Sequence, residues 1–294
     1  MKSHPSRELH DHDFGLPHDL KIMAQRNLQR RQALSWLLAG GSAALLVGCG
    51  GGSSTAADTG SSSSGGTGTS TATGSCIANA TETNGPFPSD GSNTVNGMVS
   101  NVLIESGIVR SDVRTSFGSA TGTAGGVPLT LALTVVNSNN GCAALSGYAV
   151  YMWHCTREGG YSLYSSSVLN ENFLRGAQVT DAGGKVTFTT IYPGAYSGRY
   201  PHIHFEVYPS LSMATLYTNR VLVSQMAMPR DISSTVYANA TGYSASVANL
   251  AAVTIASDGV FGDNSTAQMT QMTPVLTGSV SAGYNGTILV GVPV

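Results

Sequence analysis

The chain has 294 residues, of which 41% are hydrophobic and only 10% are charged, and its formal net charge is −2. From residue 50 onward there are eight Lys and Arg against twelve Asp and Glu, and Lys185 is the single lysine. A weakly acidic surface with so few lysines argues against nucleic acid as a partner.

Residues 1–49 have the pattern of an export signal. Arg30 and Arg31 precede an apolar run, 33–47, which is too short to span a bilayer comfortably. The twin arginines fit the twin-arginine route, and the ending at Cys49 resembles a bacterial lipobox, whose cysteine is acylated. We therefore predict an exported protein, either a lipoprotein anchored to a membrane through Cys49 or a periplasmic or extracellular protein. A plain secretory signal or a membrane anchor is the alternative.

Residues 50–75 are almost entirely Gly, Ser, Thr and Ala. This stretch has nothing large to bury, so it is predicted to be a flexible linker. The compact domain is then predicted at 76–294, a length that suits one domain with long loops.

The region after the linker reads as β-structure. Several stretches are rich in Val, Thr, Ile and aromatic residues, Gly, Asn, Asp and Pro punctuate them, and no long helical periodicity appears. The predicted fold class is all-β, with a β-sandwich core, long irregular loops and few or no long helices. The predicted strands are Pro128–Asn137, Tyr148–Cys155, Lys185–Ile191, His202–Tyr208 and Thr287–Val294.

If Cys49 is acylated, three cysteines remain, and an odd count leaves one thiol free or paired between chains. Pairing Cys142 with Cys155 is unfavourable, because an extended strand up to Cys155 covers roughly 23 Å, whereas bridged Cα atoms lie within ~7 Å. A disulfide between Cys76 and either of the other two is favoured.

A His-x-His pair, His202 and His204, follows Tyr196 by six residues. On a β-strand both imidazoles point to one side, while Ile203 and Phe205 point to the other side, into a core. Two imidazoles can bind one metal ion, and a tyrosine that loses its proton to the metal adds a hard anionic oxygen. Phenolate oxygen suits Fe(III) better than Zn or Cu(I).

Longer motifs around these residues point to one family. The most specific element is Pro-Gly-x-Tyr followed by His-x-His. The motifs are Asn84–Phe87, Ile108–Asp112, Trp153–Cys155, Gly160–Ser162, Glu171–Asp181, Thr189–Tyr196, Pro201–His204 and Asp258–Phe261. With these motifs the sequence resembles the intradiol ring-cleavage (catechol-type) dioxygenases, in particular their exported members.

The resemblance implies a non-haem Fe(III) held by Tyr161, Tyr196, His202 and His204. It further implies that Arg199 steadies the negative charge of a bound catecholate. The implied reaction inserts both atoms of O2 between the two hydroxyl-bearing carbons of a catechol-type aromatic and gives a cis,cis-muconate-type diacid. In that reaction Tyr196 is the tyrosinate expected to leave the metal and take up a substrate proton.

The sequence departs from the family at Thr215, which stands where a Thr-x-Gln-Leu-Tyr segment usually has glutamine near the substrate. Gln178 lies in a well-matched stretch and is a further candidate near the substrate. The short connection between Tyr196 and His202 leaves less room for a substrate-gripping loop than in members that act on carboxylated catechols. The identity of the catechol and the oligomeric state stay open.

Two other classes of protein compete with this interpretation. A cell-surface β-sandwich could bind carbohydrate or an aromatic polymer without catalysis, and it would need no Tyr and His cluster. A zinc hydrolase could use His202, His204 and Glu206 on the same strand face. However, the chain has no HExxH motif, and Glu206 is equally explained as an exposed strand residue. Bound iron separates the dioxygenase hypothesis from both.

Overall fold

The structure, a computed structural model, describes residues 76–294. The predicted export signal, the acylation at Cys49 and the linker 50–75 lie outside the described residues. The ordered elements are mainly strands. They are β1 (Asp90–Val95), β2 (Met98–Asn101), β3 (Pro128–Asn137), β4 (Ala143–Ala144), β5 (Ala149–Trp153), β6 (Arg175–Val179), β7 (Lys185–Ile191), β8 (His202–Tyr208), β9 (Leu222–Ala227), β10 (Val275–Ser279) and β11 (Gly283–Val292).

The strands form two larger sheets and one hairpin. β5 lies between β6 and β8, and β9 pairs with β8 at the far edge, all antiparallel. In the second sheet β3 pairs antiparallel with β7 and parallel with β11, which in turn pairs with β10, while β4 adds a short contact to β3. β1 and β2 form the separate hairpin. The predicted all-β, sandwich-like fold is confirmed.

The burial pattern shows which faces of the strands meet the core. In β3 every second residue, Leu129, Leu131, Leu133 and Val135, is fully buried, as the two-residue period of a strand predicts for one covered face. β8 is different, because all seven of its residues are buried. The interpretation of Glu206 as an exposed strand residue is therefore wrong, since both faces of β8 are covered.

Helices are few and short within residues 76–294, as predicted. They are α1 (Arg230–Asn239), α2 (Ser244–Ala251) and α3 (Thr266–Met272), and none of them is long and apolar enough to cross a membrane. α3 begins with a capping box, in which the Ser265 hydroxyl accepts from Gln268 N and the Gln268 side chain accepts from Ser265 N.

A disulfide joins Cys76 to Cys142, one of the two pairings favoured from the sequence, and Cys155 is a buried free thiol. The segment that begins at the disulfide, Cys76–Gly85, is called the leading segment, and it runs from β11 to β9. Asn79 N donates to Gly291 O at 2.9 Å, and Glu82 N donates to Val223 O at 2.8 Å. Hydrogen bonds therefore attach the leading segment to both larger sheets.

Candidate metal centre

Four side chains meet at one buried point of the β5–β8–β9 sheet. The Nε2 atom of His202 lies 3.4 Å from Tyr161 Oη, 3.1 Å from Tyr196 Oη and 3.1 Å from His204 Nε2. The rings of Tyr161 and Tyr196 pack edge to face, with centroids 5.8 Å apart. The residues that the sequence singled out as a metal-binding set thus turn their donor atoms toward each other.

Each donor is placed by a different part of the fold. His202 and His204 are two residues apart on β8, so both rings leave the strand on the same side. Tyr161 lies in the loop after β5, and Tyr196 lies in the loop that enters β8. Tyr164, three residues further along the same loop, does not turn to the cluster: its hydroxyl donates to Asn93 and accepts from the backbone of Ser89.

The two histidines are oriented by different contacts. His202 Nδ1 lies 2.6 Å from the carbonyl oxygen of Tyr200, which places a proton on Nδ1 and leaves the lone pair of Nε2 facing the cluster. The ring of His204 stacks on Trp153, its partner on β5, with centroids 4.8 Å apart. The buried Nδ1 of His204 has no hydrogen-bond partner within residues 76–294.

Without a metal, burial keeps all four groups neutral. Burial raises the pKa of Tyr196 to about 12 and the pKa of Tyr161 well above its usual range. Burial, helped by the charge of Arg199, lowers the pKa of His202 to about 3, and burial beside His202 also lowers the pKa of His204. A cation that binds here must therefore displace the tyrosine protons, as a highly charged metal does.

Arg199 stands beside the cluster as a buried cation. Its Nε donates to Asp258 at 3.0 Å, and its Nη2 donates to the Gln225 side chain at 2.6 Å. Burial alone would raise the pKa of Asp258, but Arg199 and hydrogen bonds to the carboxylate hold it below its usual range. The charge of Arg199 is thus balanced by an ionised Asp258.

The leading segment and the residues after it cover the cluster. A side chain at Gly85, where φ is +70°, would bring its Cβ within 3.3 Å of His204 Cε1, so the backbone passes directly over that ring. Phe87 packs its ring 4.9 Å from Tyr161 and 5.2 Å from Tyr164 and is only half-buried. Phe87 therefore lies between the donors and the surface.

The donor set fits one metal ion. Donor atoms at about 2.0–2.2 Å from a shared ion stand roughly 3–3.5 Å from each other, which is the spacing around His202 Nε2. Two phenol oxygens and two imidazole nitrogens match the preference of Fe(III) for hard, anionic oxygen. No group of three or more His, Cys, Asp or Glu that could hold a metal occurs among the described residues, so the tyrosines are essential to this fit.

Two predicted residues are not brought to the cluster. Gln178 faces Val150 in the β5–β6 register, three residues or ~10 Å along the strand from Trp153, and its side chain donates to Thr187 O at 2.5 Å. Thr215 is exposed in a short 3-10 helix, where its hydroxyl donates to Ser212 O. The glutamine that reaches Arg199 is Gln225, which lies directly opposite His204 in the β8–β9 register.

His154, the third histidine of residues 76–294, and the carboxylate of the zinc hypothesis have other partners. His154 is buried, and its two ring nitrogens contact Cys155 O at 2.8 Å and Thr190 Oγ1 at 2.6 Å. Glu206 accepts from Arg220 at 2.9 Å and from the Tyr208 hydroxyl at 2.7 Å. Neither side chain is free to join His202 and His204 as a ligand.

Comparison with known proteins agrees with this geometry. Residues 110–252 match the model of a protein family described as dioxygenase, and this span contains all four donors and Arg199. The fold is similar to an intradiol ring-cleavage dioxygenase from Tetranychus urticae, with a TM-score of 0.56 and 22% identity over 74% of this chain and 96% of that one. The family model and the fold therefore make this domain similar to the intradiol ring-cleavage dioxygenases.

Two further solved dioxygenase structures align over similar lengths of this chain. One is the dioxygenase domain of a dioxygenase carbohydrate-binding protein fusion from Streptomyces sp. SirexAA-E, with 20% identity over 74% of this chain and 99% of that one and a TM-score of 0.43. Another is catechol 1,2-dioxygenase from Pseudomonas arvilla C-1, with 18% identity over 72% and 61% and a TM-score of 0.40. No curated protein sequence matches the chain significantly.

Proposed function

We propose that the chain is an intradiol ring-cleavage dioxygenase that uses a non-haem Fe(III). It would insert both atoms of O2 between the hydroxyl-bearing carbons of a catechol-type aromatic to give a cis,cis-muconate-type diacid. The observation that carries the proposal is the convergence of two tyrosine oxygens and the Nε2 atom of His204 at 3.1–3.4 Å from His202 Nε2. When bound, Fe(III) would accept both catechol oxygens and make the ring reactive toward O2.

The side chains around the cluster have separable tasks in this proposal. Tyr161, Tyr196, His202 and His204 would hold the iron. Tyr196 is 9% exposed and Tyr161 only 1%, so Tyr196 Oη is the more accessible phenol oxygen and the better acceptor for a catechol proton. Arg199 offers a buried positive charge that favours the anionic form of the diol.

The residues that cover the cluster, Gly85 at the end of the leading segment and Phe87 just after it, support the same proposal. Gly85 passes over His204, and Phe87 offers an aromatic face next to Tyr161. A flat aromatic diol can stack against Phe87 while its two oxygens point to the donors. The same residues would limit the access of water to a bound metal ion.

The proposal is tested by the visible absorption spectrum and metal content of the purified protein, before and after catechol is added without oxygen. A tyrosinate-to-iron charge-transfer band that shifts with catechol is expected, and it should disappear in Tyr161→Phe/Tyr196→Phe. The matched control is Tyr164→Phe, because Tyr164 bonds to Asn93 and Ser89 rather than to the histidines. This control should keep the band.

Turnover under 18O2 completes the test. Both labelled atoms should appear in a ring-opened diacid, and a panel of catechol, hydroxyquinol and substituted catechols identifies the substrate. A protein that stays colourless and iron-free after reconstitution with ferric iron, and opens no ring, would refute the proposal and favour a non-catalytic binding module.

We also propose that the domain works outside the cytoplasm, attached to a membrane through an acylated Cys49. The Cys76–Cys142 disulfide supports export, because structural disulfides persist in oxidising compartments. Fractionation of cells and labelling with a fatty acid should place the protein in the membrane fraction. Cys49→Ser should abolish the label, and equal labelling of the variant would contradict the anchor.

A further inference from the structure

Asp258 has an unusually complete set of partners for a residue outside the segment 110–252 that matches the family model. The residue is 1% exposed. Its Oδ2 accepts from Arg199 Nε at 3.0 Å and from Tyr200 N at 2.7 Å. Its Oδ1 accepts from Val260 N at 2.9 Å and from Phe261 N at 3.0 Å, with a longer contact to Arg199 Nη2 at 3.4 Å. The carboxylate is thus held by the backbone of its own loop and by Arg199 and Tyr200, which lie in the segment that leads into His202.

We propose that Asp258 is a positioning residue that sets both the guanidinium of Arg199 and the ring of His202, in the dioxygenase site proposed above.

The first connection runs to the metal ligand through the backbone. Asp258 holds the amide of Tyr200, and the carbonyl of the same residue contacts His202 Nδ1 at 2.6 Å. That contact decides which ring nitrogen carries the proton and so turns Nε2 toward the two tyrosines. If Asp258 no longer accepts from Tyr200 N, this short loop can rotate, and the proton on His202 loses its fixed position.

The second connection runs to the substrate side. Arg199 is held between Asp258 and Gln225, and Gln225 Nε2 also donates to Thr83 O of the leading segment at 2.8 Å. The hydrogen bonds from Arg199 to Asp258 and Gln225 use Nε and Nη2 of the guanidinium. These bonds leave Nη1 as the guanidinium nitrogen that the proposal assigns to an anionic substrate oxygen.

Stability alone is a weak explanation for this ion pair. Arg199 and Asp258 have side chains that are only 3% and 0% exposed. Burying two charges costs much of what their attraction returns, and an apolar pair of similar size often stabilises a fold equally well. The ion pair is better explained if its fixed geometry positions the guanidinium of Arg199 and, through Tyr200, the ring of His202.

The decisive measurement needs no iron. Long-range 1H–15N spectra of the metal-free full chain distinguish a histidine protonated at Nδ1 from one protonated at Nε2. We expect the wild type to show His202 protonated at Nδ1, and Asp258→Asn to show a mixture of both tautomers. Asp112→Asn is the matched control, because Asp112 pairs with Arg114 on the surface, with side chains 46% and 38% exposed. The control should give the wild-type spectrum.

Kinetics of the iron-loaded enzyme test the connection through Arg199. Asp258→Asn should raise KM for catechol about tenfold, the effect of one misplaced charge-assisted hydrogen bond, and should change kcat less. Asp258→Glu keeps the charge and should recover part of the loss. A folded Asp258→Asn protein with the wild-type His202 tautomer and the wild-type KM would overturn the proposal.

A second pair of variants decides the matter if Asp258→Asn does not fold. Arg199→Gln/Asp258→Asn leaves no unpaired buried charge and is compared with Arg199→Gln alone. The proposal requires the tautomer of His202 to differ between the two variants, because only the double variant removes the Asp258 carboxylate that accepts from Tyr200 N. Identical spectra of the two variants would reject the proposal. Failure of the proposed function looks different, since the wild type itself would then bind no iron and open no ring.

Discussion

Replacing Arg220 by methionine tests how the β1–β2 hairpin is attached to the sheet that contains β8. Arg220 Nη1 lies 3.0 Å from Asp90 Oδ2 and 2.9 Å from Glu206 Oε1, and both carboxylates are fully buried. Methionine keeps the length of the side chain but removes its charge, so two buried carboxylates would face each other without a cation. Burial and the nearby Asp90 already raise the pKa of Glu206 well above its usual range.

The magnitude follows from this geometry. Removing one partner of a buried ion pair costs about 3–5 kcal/mol, and the 22% exposure of the Arg220 side chain reduces this to roughly 3 kcal/mol through solvent screening. In a domain of this size 1 kcal/mol shifts Tm by about 2–4 °C, so Tm should fall by about 6–12 °C.

Thermal unfolding followed by circular dichroism at pH 7 measures the effect. The matched control is Arg114→Met, which breaks the exposed pair with Asp112 and should cost less than about 1 kcal/mol. If Arg220→Met and Arg114→Met lower Tm equally, the buried cluster does not stabilise the fold in the way argued.

Three further predictions concern the leading segment. Burial raises the pKa of Glu82 to about 7, so the stability that this residue contributes is present below pH ~4.5 and is lost as the pH rises through 7. Glu82→Gln should therefore stabilise the fold by up to about 3 kcal/mol at pH 8 and have no effect at pH 4. Urea unfolding at the two pH values measures this difference. Cys76→Ser/Cys142→Ser removes a disulfide that spans 66 residues and should cost about 4 kcal/mol, whereas an unchanged Tm under oxidising conditions would contradict this. Gly85→Ala adds a Cβ that would lie 3.3 Å from the ring of His204, at a φ of +70°, and should lower Tm and iron content together; normal iron binding would show that the backbone does not press on that ring.

Much of the β-structure was predictable because its signals are local. The predicted limits of β3, β7 and β8 agree with the structure, and β5 differs only at its ends. Runs of β-branched and aromatic residues bounded by turn residues are enough for this. The helices α1 and α2 were not individually predicted, because their polar and small residues carry no strong apolar period.

The resemblance to a known family predicts the metal-binding set, but the sequence does not predict the surroundings of that set. The sequence does not predict the role of Gln225, because its contact with Arg199 depends on the register of β8 against β9, which spacing along the chain does not reveal. Asp258 was noted only as part of a motif, since its contact with Arg199 joins residues 59 positions apart. Glu206 was misjudged because alternation along a strand cannot show that a second layer covers both faces.

The pairing of β3 also constrains how the domain is made. Leu129 pairs with Tyr284 in the parallel ladder and with Thr190 on the other side, so the middle of the second sheet needs residues from the last part of the chain. When synthesis has passed the metal-binding residues but has not reached β11, β3 lacks its parallel partner and has an unpaired edge. Such long-range pairing is slow to form, and the exposed edge would be open to wrong partners until β11 arrives. Folding of this domain is therefore expected to finish only after synthesis of β11, which makes the nascent chain a natural client for holding chaperones.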